Sequence, residues 1–227
     1  MKAETLLAEG AAALDFPLTQ EQLGRLTLYC AELSKWMRRI NLVARDTSTE
    51  QLVELHFLDS LVLAPMLANH PATHLLDIGS GAGFPGLVLA ALFPEARFSL
   101  VEPRQKRAIF LRHVARLLAL AQVEVVEARV ETLYHNSSSR SPQTSYSHIT
   151  GRAVAEPAAF LEMAAPLAAT DTDVVLFLAR PEGLDDLPEE VATHWRLHAE
   201  RQTVLPFSRA PRFLACMRRC AGSEAQS

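Results

Sequence analysis

Cysteine is nearly absent from this sequence: three residues in 227, at Cys30, Cys216 and Cys220. So odd and scattered a set argues against a disulfide framework and fits no zinc-ligand spacing, so no metal site is expected and the thiols read as reduced and structural. Aromatic residues are sparse as well, at 7% with two tryptophans. Long apolar runs are missing: nothing approaches the span of a membrane helix, and Met1-Lys2-Ala3-Glu4-Thr5 does not open a leader pattern. The expectation is a cytoplasmic chain with no membrane partner. Hydrophobic residues make up 49%, so disorder is not expected, and the length suits one domain, alone or with a small appendage.

An excess of positive charge is lacking too, since the net charge is −4. That total argues against a polyanion partner until the charges are placed along the chain. Residues 33–45 hold Lys35, Arg38, Arg39 and Arg45; residues 103–123 hold Arg104, Lys106, Arg107, Arg112 and Arg116; residues 201–222 hold Arg201, Arg209, Arg212, Arg218 and Arg219. Fourteen of the 22 basic residues thus fall in 56 positions free of any Asp or Glu, while Glu182, Asp185, Asp186, Glu189 and Glu190 crowd one segment elsewhere. A basic face is compatible with the negative total. The competing reading is that each window is only a solvated helix or strand face.

What the sequence does contain is one dense glycine segment, His74-Leu75-Leu76-Asp77-Ile78-Gly79-Ser80-Gly81-Ala82-Gly83-Phe84-Pro85-Gly86. It reads as strand, tight turn and helix start. Glycines at 79, 81 and 83 permit positive φ and let a ligand approach the backbone closely. Pro85 is expected at the first helical position, with free N–H groups of the helix start facing the loop. Gly81-x-Gly83-x-x-Gly86 also satisfies the dinucleotide fingerprint, a weak signal by itself. Asp77, two residues before the first glycine, gives instead D-x-G-x-G, the pattern of Rossmann-like S-adenosylmethionine-dependent methyltransferases. A second acid, Glu102, ends the run Phe98-Ser99-Leu100-Val101 where a ribose needs an acceptor; it supports a nucleoside without choosing between cofactors.

Along the chain, residues 3–70 read as helical, with Thr19 and Gln22 as a capping box and Thr47 or Ser48 opening a later helix. From Thr73 strands and helices alternate, which calls for a mostly parallel sheet with right-handed crossovers. Strands are expected at 98–102, 123–127, 148–150 and 174–178, and a late antiparallel pair at 196–205 and 212–217. The helix from about Arg104 to Leu120 is expected to turn Ile109, Phe110, Val114, Leu117 and Leu118 inward. Asn136–Ser147 reads as a polar loop. The expected division is an N-terminal helical part at 1–72, an α/β cofactor-binding domain at 73–220 and a tail at 221–227.

These residues resemble one family, the bacterial small-subunit (16S) ribosomal RNA guanine-N7 methyltransferases, also called glucose-inhibited division protein B. The likeness runs from about Leu23 to Met217. It is carried by Trp36 with Asn41-Leu42, His56-Phe57-Leu58-Asp59-Ser60, the glycine segment through Phe84-Pro85-Gly86, Lys106-Arg107 with Phe110-Leu111, Arg129-Val130-Glu131 and Gly151-Arg152-Ala153. The chain departs from the family pattern where Gly151 replaces a usual Ser, where Arg180-Pro181 replaces a Lys-Gly pair, and where the last hairpin is trimmed near Pro206-Phe207 without the usual acid before its arginine.

The resemblance implies a class I S-adenosylmethionine-dependent methyltransferase fold with a small N-terminal helical extension, S-adenosyl-L-methionine as cofactor, and ribosomal RNA or the small ribosomal subunit as partner of a monomer. It implies cofactor contacts at Gly79, Phe84, Val130, Glu131 and Arg152; the strand-end and loop patterns add Asp77, Gly81 and Glu102. Arg152 would meet cofactor or substrate, or else form a structural ion pair. His56, Asp59 and Ser60 either roof the site or cap and pack. Substrate contacts are expected at Arg38, Arg39, His56, Lys106, Arg112 and Arg218. Guanine N7 carries an in-plane lone pair, so no general base is expected; alignment and exclusion of water suffice. Rival readings are an NAD-dependent oxidoreductase, a small-molecule methyltransferase, and a non-catalytic RNA-binding protein that keeps cofactor affinity.

Overall fold

Apolar segments that end at an acid or a small residue become the strands. In the computed structural model, which describes residues 2–44, 46–68, 73–134 and 146–220, they form one seven-stranded sheet in the order β3-β2-β1-β4-β5-β7-β6. The strands are β1 His74–Ile78, β2 Arg97–Val101, β3 Val123–Val126, β4 His148–Thr150, β5 Asp173–Leu178, β6 Trp195–Val204 and β7 Pro211–Arg219. β1 to β5 pair in parallel, and β7 runs antiparallel between β5 and β6, as the expected single reversed strand. Asp77 is in register with Leu100 on one side and Thr150 on the other, so β1, β2 and β4 end together. Most of the polar stretch 136–147, the boundary at 72, Arg45 and the tail 221–227 lie outside the described residues.

The helices are α1 Ala3–Ala13, α2 Gln20–Trp36, α3 Thr49–Leu52, α4 Asp59–Leu61, α5 Ala64–Leu67, α6 Gly86–Leu92, α7 Gln105–Leu117, α8 Pro157–Ala164 and α9 Glu189–Ala192. Capping boxes at Thr19 with Gln22 and at Ser48 with Gln51 start α2 and α3 by satisfying free helical N–H groups. Between α3 and α4 the wider π-helical turn Val53–Leu58 intervenes, a geometry that often accompanies functional sites. Pro85 is the N-cap of α6 and not its first helical residue, following a cis Phe84–Pro85 bond.

Two apolar clusters sandwich the sheet. One joins Leu6, Leu26, Tyr29 and Leu58 from the N-terminal helices to Leu75, Leu100 and Val175 of the strands. The helical extension therefore shares the core of the sheet instead of having its own. The other packs Phe160 and Leu161 of α8 on Leu76, Ile149 and Leu176. On α7, Phe110 and Val114 are buried, as is Leu118 beyond its end, but Ile109 and Leu117 are 46% and 39% exposed. They lie four residues either side of His113, on the outward stripe of a 3.6-residue helix.

Candidate functional site

The site is built where β1, β2 and β4 end. Gly79, Gly81 and Gly83 have φ of 66°, 59° and 97°, the left-handed region in which a Cβ is strained. A Cβ at Gly83 would stand 2.5 Å from the Tyr29 hydroxyl, and that hydroxyl donates to the Ala82 carbonyl, so α2 clamps the loop from behind. A Cβ at Gly81, by contrast, would meet nothing nearer than 3.7 Å. The loop is thus closed beneath and open above Gly81, a cradle of the kind a nucleoside cofactor needs.

Two acids shape this cradle. Glu102 is buried; its carboxylate accepts from Gly81 N at 2.9 Å and Arg104 N at 2.8 Å, tying loop to α7. Asp77 is fully buried beneath the loop, where Oδ2 accepts from Gly86 N at 3.1 Å and Oδ1 has no hydrogen-bond partner among the described residues. Burial pushes its carboxyl up to about 7, against the pull of the Gly86 N–H and the Arg152 guanidinium. In this arrangement Asp77 shapes the loop and does not reach over it. Val130 is buried and Glu131 exposed at the 3-10 turn after β3, side by side at the strand ends.

Arg152, after β4, is gripped by the N-terminal helices. Its Nη1 donates to the Leu55 carbonyl and to Asp59 Oδ2, each at 3.0 Å, and Nη2 donates to His56 Nδ1 at 2.9 Å. The guanidinium lies 5.2 Å from the Phe84 ring centroid, and His56 stacks on the same ring at 5.0 Å. Burial, then the Arg152 charge, push the His56 pKa down to about 4. His56 is therefore neutral near pH 7, with Nδ1 occupied as an acceptor. Asp59 also receives Arg212 Nε at 2.5 Å, so one buried carboxylate serves two arginines. The structural ion pair is what the structure displays for Arg152; His56 packs on the Phe84 ring, and Asp59 pairs with Arg152 and Arg212. Ser60 turns away and donates to the His56 carbonyl. A cleft of about 530 Å³ beyond this group is lined by Asp59, Arg152, Glu156, Phe160, Leu178 and Arg212.

Two basic windows meet and the third divides. Arg39, Asn41, Arg104, Lys106 and Arg107 line a single cleft between the end of α2 and the start of α7. Arg107 closes it by donating to the Asn41 carbonyl, and its Nη1 lies 3.9 Å from where a Gly81 Cβ would be. Arg38 is exposed nearby in sequence but is not among the lining residues. Arg112 is not at the mouth: it pairs with Glu127 at 2.9 Å and bonds the Val125 carbonyl, against the β3 edge. Arg218 is not there either, because it is bidentate to Asp173 at the first residue of β5, the opposite end of the sheet. Arg212, Arg107, Tyr29 and Glu54 are site-forming residues absent from the expected set. Arg107 and Arg212 lie in basic windows, and Arg107 also in the Lys106-Arg107 marker, but no sequence signal singled out Tyr29 or Glu54.

A sheet ordered 3-2-1-4-5-7-6 with β7 reversed, a positive-φ glycine loop after its first strand and an acid after its second defines the class I S-adenosylmethionine-dependent methyltransferase fold. An O-methyltransferase from Bacillus cereus, solved with S-adenosylhomocysteine, has this fold: TM-score 0.56, 19% identity, covering 95% of this chain and 99% of that one. Residues 22–212 match the family described as rRNA small subunit methyltransferase G, and the chain belongs to that family. Ribosomal RNA small subunit methyltransferase G of Desulfotalea psychrophila is 38% identical over 93% of this chain and 96% of its own length. The protein of the same name from Dichelobacter nodosus is 40% identical over 91% and 89%.

Proposed function

We propose that the protein methylates N7 of a guanine in small-subunit (16S) ribosomal RNA, with S-adenosylmethionine as methyl donor. Family membership across residues 22–212 supports the RNA class. The observation that carries the reading is the adjacency of two features: a glycine cradle open above Gly81, and a cleft of Arg39, Arg104, Lys106 and Arg107 beside it. A small-molecule methyltransferase has no use for that second feature.

The residues present suit the cofactor. Gly79 and Gly81 would receive its backbone-facing side, Glu102 its ribose hydroxyls through lone pairs left by the two N–H groups, and Val130 with Glu131 the adenine edge. Phe84 and Arg152 would close the end nearest the acceptor, with Asp77 holding the loop from below. Bound S-adenosylmethionine supplies an electrophilic methyl on a sulfonium. The chain's task is to hold the guanine in line and to exclude water, which accelerates transfer by proximity and orientation. No proton need be removed from N7, and neutral His56, committed to Arg152, agrees with a site without a general base. The guanine must first leave its stack for N7 to be reached. We place this monomeric protein in the cytoplasm with its RNA.

The test is transfer of labelled methyl from S-adenosylmethionine to protein-free ribosomal RNA, to intact small subunits and to a metabolite pool, followed by nucleoside analysis. Label in 7-methylguanosine of small-subunit RNA is the expected result. Label only in a metabolite would overturn the substrate class, and RNA binding without transfer would overturn the enzyme.

A further inference from the structure

Residues 205–210 between β6 and β7 form a small turn that the proposed activity leaves without a role. Every N–H from Phe207 to Ala210 is taken. Phe207 N and Ser208 N donate to one oxygen of Glu54 at 2.8 and 2.7 Å, Arg209 N to the Leu205 carbonyl at 3.1 Å, and Ala210 N to Ser208 Oγ at 3.3 Å. Glu54 is a buried carboxylate on the π-helical turn, one residue before the carbonyl that holds Arg152. Sinking an acid into the core to fix two turn amides is costly unless both bonds are made. Arg209 sits at φ 60°, a conformation uncommon for a residue other than glycine.

This rigid turn presents an exposed aromatic. Phe207 is 40% exposed, Ser208 and Arg209 are exposed beside it, and no acid occurs anywhere in residues 201–222. The turn stands at the same end of the sheet as the cradle, because β7 begins there and pairs Phe213 with Leu178, the last residue of β5. The next arginine, Arg212, lines both the cleft beyond Arg152 and a second cleft along Gln202, Val204 and Phe213. An exposed apolar ring on an acid-free turn, with exposed Arg209 two residues on, at the sheet end that carries the cradle, suits an unpaired nucleobase and its phosphate. Stacking on an aromatic needs only a π-face, so it holds a base of any identity.

We propose that this turn is a stacking post for the RNA strand: Phe207 takes the face of an unstacked base neighbouring the acceptor guanine, and Arg209 takes a flanking phosphate, while Arg212 stays paired with Asp59. The proposal rests on the RNA reading above. It extends the strand's path from the basic cleft of α2 and α7 across the site to its β5–β7 side. Glu54 acts as a positioning residue, through the turn.

The test compares Phe207→Ala, Phe207→Leu and Phe207→Trp with the wild type for affinity to a single-stranded ribosomal RNA segment, KM and kcat for methyl transfer, cofactor affinity and melting temperature. Loss of a stacked base corresponds to a drop of about 5- to 100-fold in RNA affinity. Alanine and leucine should both show it, mainly as a raised KM, while tryptophan retains or improves binding and cofactor affinity stays level in all three. Leucine or alanine binding RNA as the wild type does would overturn the stacking post. Parallel losses of cofactor affinity or melting temperature would do so too, by showing a structural role. A wild type that neither binds nor methylates RNA would instead remove the RNA reading itself, and this proposal with it.

Discussion

Among the glycines of the loop, Gly81 is the one whose side chain would have somewhere to go, and that makes it the sharpest probe of the cradle. Valine there would be strained at φ 59° as well as obstructive, so asparagine, which tolerates left-handed φ, separates the two effects. Gly81→Asn should leave the urea midpoint nearly unchanged and weaken S-adenosylmethionine binding by on the order of tenfold or more, about 1.4 kcal/mol per decade. Unaltered affinity by calorimetry would move the cofactor off the loop. Glu102→Ala should cost roughly 1 to 3 kcal/mol of cofactor affinity, equally for substrate and product forms, since both carry the same ribose. Asp77 gives a test in pH. Its carboxyl rises to about 7 in the fold from an ordinary value of 3.8. Between those values the unfolded chain has released a proton that the folded chain retains, so this group makes stability fall as pH rises from about 4 to 7 and adds no further change above. Asp77→Asn abolishes that titration. Urea unfolding across the range should show a flatter profile for the variant; superimposable slopes would contradict the burial of this acid.

The elements most legible in the sequence are those with local chemistry. The Thr19–Gln22 capping box, the glycine turn and the short strand His148–Thr150 announce themselves by residue type and spacing, whereas the structure chooses Ser48 over Thr47 as the cap of α3. Less legible is what depends on distant packing. Ile109 and Leu117 are as apolar as their neighbours, and only the position of α7 against the sheet decides that they face outward. Gly151 is a similar case. A Cβ there would come within 2.6 Å of the Phe160 ring and 2.8 Å of the Ile78 carbonyl, so the departure from serine is set by an α8 side chain nine residues away. The π-helical turn Val53–Leu58 is the least legible element, having no turn residues to mark it, yet it supplies His56 and the Leu55 carbonyl to Arg152 and Glu54 to the turn between β6 and β7. Just after it, Asp59 is the counter-charge of both Arg152 and Arg212. Asp59→Asn should therefore destabilise by about 3 to 5 kcal/mol, because it strands buried positive charge. Replacing Asp59 and Arg152 together by leucine and methionine should cost markedly less than the two single losses added. Additive losses in chemical denaturation would show that the pair is not coupled.

Across the whole molecule the charge is sorted by end and by side, and half of that sorting was visible beforehand. The sequence showed three acid-free windows but not that the sheet sends Arg39, Arg104, Lys106 and Arg107 to one cleft beside the glycine loop while it fastens Arg218 to Asp173 at the opposite end of the strands. Convergence of windows some sixty residues apart is a property of topology, set by α7 starting where β2 ends. If the cleft holds RNA phosphates, binding releases counterions there, and affinity should fall steeply as salt is raised, while affinity for free cofactor hardly moves. Arg39 and Lys106 are exposed lining residues, so neutralising them leaves the fold intact. The combination of Arg39→Ala and Lys106→Ala should weaken RNA binding at low salt and flatten the plot of log affinity against log salt by up to about one unit per lost phosphate contact. Arg196→Ala is the control: it is an exposed arginine at the first turn of β6, paired in register with Arg218 at the edge away from the cradle. Its slope should match the wild type. A slope that changes for the control and not for the cleft variant would place the RNA on the opposite edge of the sheet. Equal slopes for all three proteins would free both surfaces from phosphate contact, and affinity indifferent to salt throughout would remove the polyanion from the account.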